Sequence, residues 1–396
     1  MSIKRTLLWY LFIILPLFDM LNGYLVVNGA IDEGGVASPS QLARIVAVIL
    51  LLITMYVDKI NITIPILISS YILLVETFSG LFHHSVFGAI IGLTNAYKIV
   101  YLILLMFCLK NIINNRSDLE YMASMMGANL YIISCSIVFA LITGLGNSTY
   151  GWGGGTKGFF ASGNSLGIYL GAMSIAYLSL YKFNIISNRA FLFFPIVIFS
   201  ILMLTSKAAI ISSMLVAIYW VSFTKYRLPF YFLIFIVISF YLDDILIRLL
   251  SLFEVVISRF ENSDSVFSFI ASGRNEFVSS AIDVFFSQEP NYFRVLFGAG
   301  SFISYQIPNL NISYDTLETD LFDVIFMYGL FGCCLYLLFF SFYIYRLVMF
   351  LPLLVGFILI FGHSLVAGHV LFNGMSAIVI TVYIVLSHSL KEVRNV

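Results

Sequence analysis

Apolar residues run along this chain in stretches of roughly 20, the length that crosses a bilayer as a helix, with short polar punctuation between them. Only one long hydrophilic segment, 243–317, breaks the pattern. The runs predict about twelve helical spans, near 6–28, 41–58, 60–80, 86–110, 118–143, 161–181, 190–205, 207–223, 228–243, 319–346, 350–367 and 370–389. The runs 190–205 and 207–223 are parted only by the polar step Thr205-Ser206-Lys207. The predicted fold is therefore an all-α, polytopic integral membrane protein. Spans 1–9 fall in residues 1–242, a long external loop in 243–317, and spans 10–12 in 318–396.

The long segment has a pattern of its own. Leu249, Leu250, Phe253, Val256, Ile257 and Phe260 recur at helical spacing opposite Arg248, Ser251, Glu254, Ser258 and Arg259. That predicts an amphipathic helix over 245–260, lying at the membrane surface. A second is predicted after Ser272, an N-cap residue type, with Phe277, Val278, Ala281, Ile282 and Phe285 on one face. Residues 291–304 are turn-rich, with Gly298 and Gly300. The loop thus reads as a small helical cap, since a structureless loop of this length is uncommon. The glycine-rich stretch Gly144–Asn164 lacks the order G-x-x-x-x-G-K-[ST] of a phosphate loop and predicts a flexible external loop.

Composition sharpens the class. Of 396 residues 61% are hydrophobic and 10% charged, and the mean hydropathy is +1.02. Soluble domains carry about 25% charged residues, so little soluble mass is left. A net charge of zero gives no support for nucleic-acid binding. The four cysteines lie in apolar runs and suggest no disulfide framework. Lys4 and Arg5 precede the first run without a small-residue cleavage site, which predicts an uncleaved first helix. With the N-terminus inside, twelve of the 20 Lys and Arg fall in cytoplasmic segments and six outside, Arg44 and Lys98 lying within spans. This bias predicts that both termini are cytoplasmic and the long loop external.

Asp19, Arg44, Glu76 and Lys98 lie in or at the ends of early spans, where a charge is expensive and should face a partner or a wet cavity. The densest group of acids stands where the long loop meets a span: Asp315, Glu318, Asp320 and Asp323, leading to Gly329 and Gly332. Acids at a helix start are also favoured by the helix dipole alone. Lys207, in an external hairpin, could meet an anionic headgroup. Arg274 lies near a helix start, and its planar fork suits pyrophosphate. The five histidines form no spaced ligand set, and no metal or cofactor is called for; Glu318-Thr319-Asp320 resembles a D-x-D metal motif only weakly.

These pieces together resemble the bacterial O-antigen polymerase and O-antigen ligase superfamily, integral-membrane glycosyltransferases of the GT-C type. The resemblance covers the later two-thirds of the chain. It rests on ordered motifs: Gly163-Asn164-Ser165-Leu166-Gly167 opening a span, Ser206-Lys207 in an external hairpin, Ser272-Gly273-Arg274 in the long loop, then the polar entry to Gly329-Leu330-Phe331-Gly332. Ligases of this group carry His-Asn ahead of G-x-x-G at a spacing that here falls on Glu318 and Thr319. That departure favours a polymerase. Lys207 stands where the family usually has arginine, which keeps the charge and loses the fork.

The resemblance implies a substrate linked to undecaprenyl pyrophosphate, as both donor and acceptor, with no nucleotide and no cofactor. It also implies the bacterial inner membrane with the site facing the periplasm; a chain-length regulator is an optional partner. On this reading Arg274, then Lys207, stabilises the pyrophosphate leaving group. Glu318 or Asp320 takes the proton of the acceptor hydroxyl. Asn164 and Asp323 complete the substrate-binding set, Asp323 also as a structural partner for a base such as Lys207, and His369 is the next candidate for the proton. The rivals are an O-antigen ligase, a polytopic transporter, for which no repeat halves are visible, and an assembly partner without chemistry.

Overall fold

The computed structural model describes residues 2–31, 38–82, 86–149, 155–186, 194–223, 274–287, 292–301 and 317–394. Among these every regular element is a helix, and the one β-bridge joins Ser148 to Thr156. In chain order the helices are α1 (Ile3–Val27, π-helical over Tyr10–Ile14), α2 (Pro39–Val57), α3 (Thr63–Phe82), α4 (Val86–Ile112), α5 (Arg116–Thr143), α6 (Gly163–Lys182) and α7 (Phe194–Met203). Then follow α8 (Lys207–Ser222), α9 (Arg274–Ser287), α10 (Tyr292–Phe297), α11 (Asp320–Leu347), α12 (Leu351–Val366) and α13 (Gly374–Arg394). Five stretches are long and apolar enough to cross a membrane: Ile3–Val27, Pro39–Val57, Gly88–Ile112, Arg116–Thr143 and Asp320–Leu347. The chain is a helical membrane protein. Every predicted run has its helix except 228–243, which lies outside the described residues, as do the amphipathic helix over 245–260 and Ser272. The helix predicted after Ser272 is α9, with Val278, Ala281 and Phe285 buried and Ile282 largely exposed.

The chain divides into two units, one of residues 1–7, 44–118 and 270–396, the other of 8–43 and 119–269. In the second unit α6 is buried along almost its whole length. Gly163, Gly167 and Gly171 recur every four residues along it, and small residues at that spacing let helix backbones approach closely. Gly167 faces Ala209 and Gly171 faces Ser212, so α6 and α8 run parallel with their first turns at one end. Shielded by its neighbours from lipid, α6 carries more small and polar residues than the outer spans do. Where the π-helical turn of α1 disturbs the ladder, the Phe12 carbonyl accepts from Asn129 Nδ2, and Tyr169 donates to Asn129 Oδ1 at 2.7 Å. The described parts of 144–164 are fixed, where the sequence predicted a flexible loop. Asn147 and Gly158 share a backbone bond, Asn147 Nδ2 reaches the Gly23 and Phe160 carbonyls, and Thr156 N donates to the Met203 carbonyl. Backbone polar groups withdrawn from water need partners, and here they come both from within the loop and from Gly23 and Met203.

In the first unit α4 packs against α3 on one side and α13 on the other. Here α11 is broken at Gly329, whose φ of 66° and ψ of −170° lie where only glycine sits without strain. The break releases carbonyls from the helix ladder, and in lipid each needs another donor. The Phe326 carbonyl accepts from Ala299 N, that of Met327 from Gly300 N, and that of Tyr328 from the Tyr71 hydroxyl at 2.6 Å. So close is the approach that a Cβ on Gly298 would overlap the Met327 carbonyl, and one on Gly329 the Leu296 carbonyl.

Candidate functional site

The described acids of the 317–323 segment divide into two sorts. Asp320, the first residue of α11, is wholly buried. Its Oδ2 accepts from Ser364 Oγ at 2.6 Å, Val370 N at 3.0 Å and Leu371 N at 3.1 Å. Tyr336 donates in turn to Ser364 Oγ. Asp320 therefore fastens the start of α11 to the end of α12 and to the 367–373 turn. Enclosed in this way, Asp320 is built into the packing of the unit, where the sequence offered it as a catalytic carboxylate. Asp323 is likewise buried, and its Oδ1 accepts from Leu317 N at 2.7 Å. Through this bond it holds the entry to the helix.

Glu318 is the open one. Its Oε1 lies 3.5 Å from His369 Nε2, and more than a third of each side chain is exposed. Both residues have positive φ, 56° for Glu318 and 59° for His369. Such left-handed backbone at a non-glycine residue concentrates at functional sites. The turn carrying His369 is held against the Glu318–Thr319 peptide, which Gly368 touches closely. Asp320, bonded to the two amides that follow His369, makes this register rigid. The pairing of Glu318 with His369 was not foreseen. Its signal was available only as two separate candidates on opposite sides of α11 and α12 in the sequence.

In the same unit α3, α4 and α11 line an apolar pocket of ≈ 170 Å³, with Ile68, Tyr71, Leu102, Val324, Tyr328 and Leu371 in its walls. Leu371 thus joins the cavity to the turn that carries His369. The other buried carboxylate of this unit is Glu76, 1% exposed within α3. It accepts from Ser301 N at 3.0 Å, Ser301 Oγ at 2.9 Å and the Tyr328 hydroxyl at 2.9 Å. This is the partner that a carboxylate in a span requires, and it sits beside the break in α11. Ser79 Oγ adds a bond to the Ala299 carbonyl.

Of the remaining predicted residues, Arg274 opens α9 in the first unit. Asn164 and Lys207 belong to the second unit, at the first turns of α6 and α8, and so share one end of it. Ser162 caps α6 by accepting from Ser165 N, and Ser206 caps α8 by accepting from Ala209 N. No group of three His, Cys, Asp or Glu that could hold a metal occurs among the described residues. Compared with protein-family models, curated proteins and solved structures, the chain matches none.

Proposed function

We propose that the chain is a membrane glycosyltransferase of GT-C type with about twelve spans. It polymerises oligosaccharide repeat units carried on undecaprenyl pyrophosphate, on the periplasmic side of the bacterial inner membrane. The observation that carries the reading is the half-buried Glu318–His369 pair, held on left-handed backbone where the long loop enters α11. His369 takes the proton of the attacking sugar hydroxyl, and Glu318 orients the imidazole and balances the charge that forms on it. Asp320 is the positioning residue that sets the pair. The bond from the donor sugar to pyrophosphate breaks as the new glycosidic bond forms, and Arg274, which belongs to the same unit as the pair, is the cation assigned to the departing phosphate.

Removal of the protein from its cell tests this directly through the lipid-linked glycans that accumulate. Single repeat units on the lipid carrier are expected; full-length chains on the carrier would make the protein a ligase, and unchanged glycans would end the reading. A transporter remains the second reading, on one observation: a buried carboxylate, Glu76, beside a broken span is a recurrent feature of substrate sites in transporters.

A further inference from the structure

The opposite end of the first unit carries a cluster that the proposed chemistry does not use. Three helices meet there: α4 and α11 end just past Lys110 and Arg346, and α13 passes them at His388 before ending at Arg394. Two side-chain bonds join them. Ser389 Oγ donates to the Ile113 carbonyl at 3.3 Å, and Arg346 Nη1 donates to the His388 ring. Arg346 also lies over the Phe342 ring, and Lys110 and Arg346 lie within electrostatic reach of one another. Among the described residues neither cation has a carboxylate: Lys110 makes no hydrogen bond or ion pair, and Arg346 has only the imidazole and the ring. The acid Asp58 is already engaged, by Lys4 at 3.6 Å.

A helix C-terminus favours a nearby cation, and that alone would account for one charge at each end. It does not account for two half-sheltered cations brought together with no carboxylate between them among the described residues. An anion between them does. We propose that Lys110 and Arg346, with His388 orienting the guanidinium, hold the phosphate of an anionic phospholipid at this end of the bundle. Arginine's fork takes two phosphate oxygens and lysine a third. The apolar outer surface of α11, with Leu338, Phe342 and Tyr345 exposed, leads from this level into the hydrocarbon and suits the acyl chains. The shared chemistry is a phosphate ester, and a soluble phosphate is the other source of it.

The test uses the full chain, delipidated in a neutral detergent and then placed in vesicles of phosphatidylcholine alone or of phosphatidylcholine with phosphatidylglycerol. The unfolding midpoint of the wild type is expected to rise when phosphatidylglycerol is present, and the Lys110→Gln/Arg346→Gln double variant to lose that rise. Each cation removed should weaken lipid binding roughly five-fold. Lys59→Gln, which removes a charge outside this cluster, is expected to keep the rise. An undiminished rise in the double variant overturns the site, and an equal loss in Lys59→Gln reduces it to diffuse surface potential. A rise with inorganic phosphate in detergent, abolished in the double variant, assigns the same site to a soluble anion. Should the double variant not fold, native mass spectrometry of the wild type decides: a retained phosphatidylglycerol that Arg346→Lys loses supports the site, and its absence in wild type overturns it.

Discussion

Tyr328 donates its hydroxyl to Glu76 Oε1 at 2.9 Å, a bond between two helices that joins residues 252 positions apart in the chain. The same tyrosine offers its carbonyl to the Tyr71 hydroxyl. One residue thus secures both the buried charge of α3 and the freed backbone of α11. Tyr328→Phe removes one of three donor groups on Glu76 and should cost about 1–2 kcal/mol. Glu76→Ala strands the Ser301 amide, the Ser301 hydroxyl and the Tyr328 hydroxyl together, and about 3 kcal/mol or more is expected. Unfolding midpoints in detergent measure both, and a smaller loss for Glu76→Ala than for Tyr328→Phe would remove Glu76 from the centre of the network.

Gly329→Ala should lower the folded yield sharply. Its backbone conformation costs about 1–3 kcal/mol for a non-glycine residue, and its Cβ would lie 2.4 Å from the Leu296 carbonyl. Gly362→Ala is the control: it sits inside α12 with nothing within 4 Å, and helix propensity alone should stabilise it by up to about 1 kcal/mol. Size-exclusion profiles of the two purified variants give the comparison.

Glu318→Gln and His369→Asn should each reduce polymerisation by about 10²–10⁴-fold with unfolding midpoints unchanged. More than a third of each side chain is exposed, so the loss is expected in turnover before it is seen in folding. If they act as one unit, the double variant is no slower than the worse single one. Multiplying losses would separate the two residues mechanistically.

Asp320→Ala should behave oppositely, losing stability and activity together, since three donors from Ser364, Val370 and Leu371 lose their acceptor in a dry site. About 3 kcal/mol is expected, and protease cleavage within 367–373 should quicken. Activity loss with an intact fold would return Asp320 to the chemistry.

Arg274→Lys separates fork from charge. If Arg274 holds pyrophosphate through two parallel bonds, the lysine variant should lose most activity at normal protein levels. Near-full turnover would leave it a general electrostatic contact.

The helices were legible in the sequence because lipid demands long apolar runs, and each described run proved helical at nearly its predicted bounds. Glu76 was legible as a charge in need of a partner. Ser301 was not, because nothing local links residues 225 positions apart. The acid cluster at 318–323 is legible in the sequence, and the difference in burial between its members is not. Asp320 and Glu318 differ in burial only because the 367–373 turn folds onto one and beside the other, a tertiary fact absent from the local pattern. Gly163, Gly167 and Gly171 stand at their packing interval in plain view, and their value lay in the spacing as much as in any motif. The break at Gly329 was invisible: a glycine in an apolar run is compatible with an unbroken helix.

That break bears on how the protein is made. A span entering lipid must keep its backbone bonds to itself, since each bare carbonyl in hydrocarbon costs several kcal/mol. The N-terminal part of α11 depends for those bonds on Tyr71, from α3, and on residues 299–300, from the segment that precedes it. It follows that α11 inserts as a continuous helix and opens only after α3 and the 298–301 turn have docked. The final shape of this span is an assembly event, later than its insertion, and the strained pair at its mouth forms only in the finished bundle.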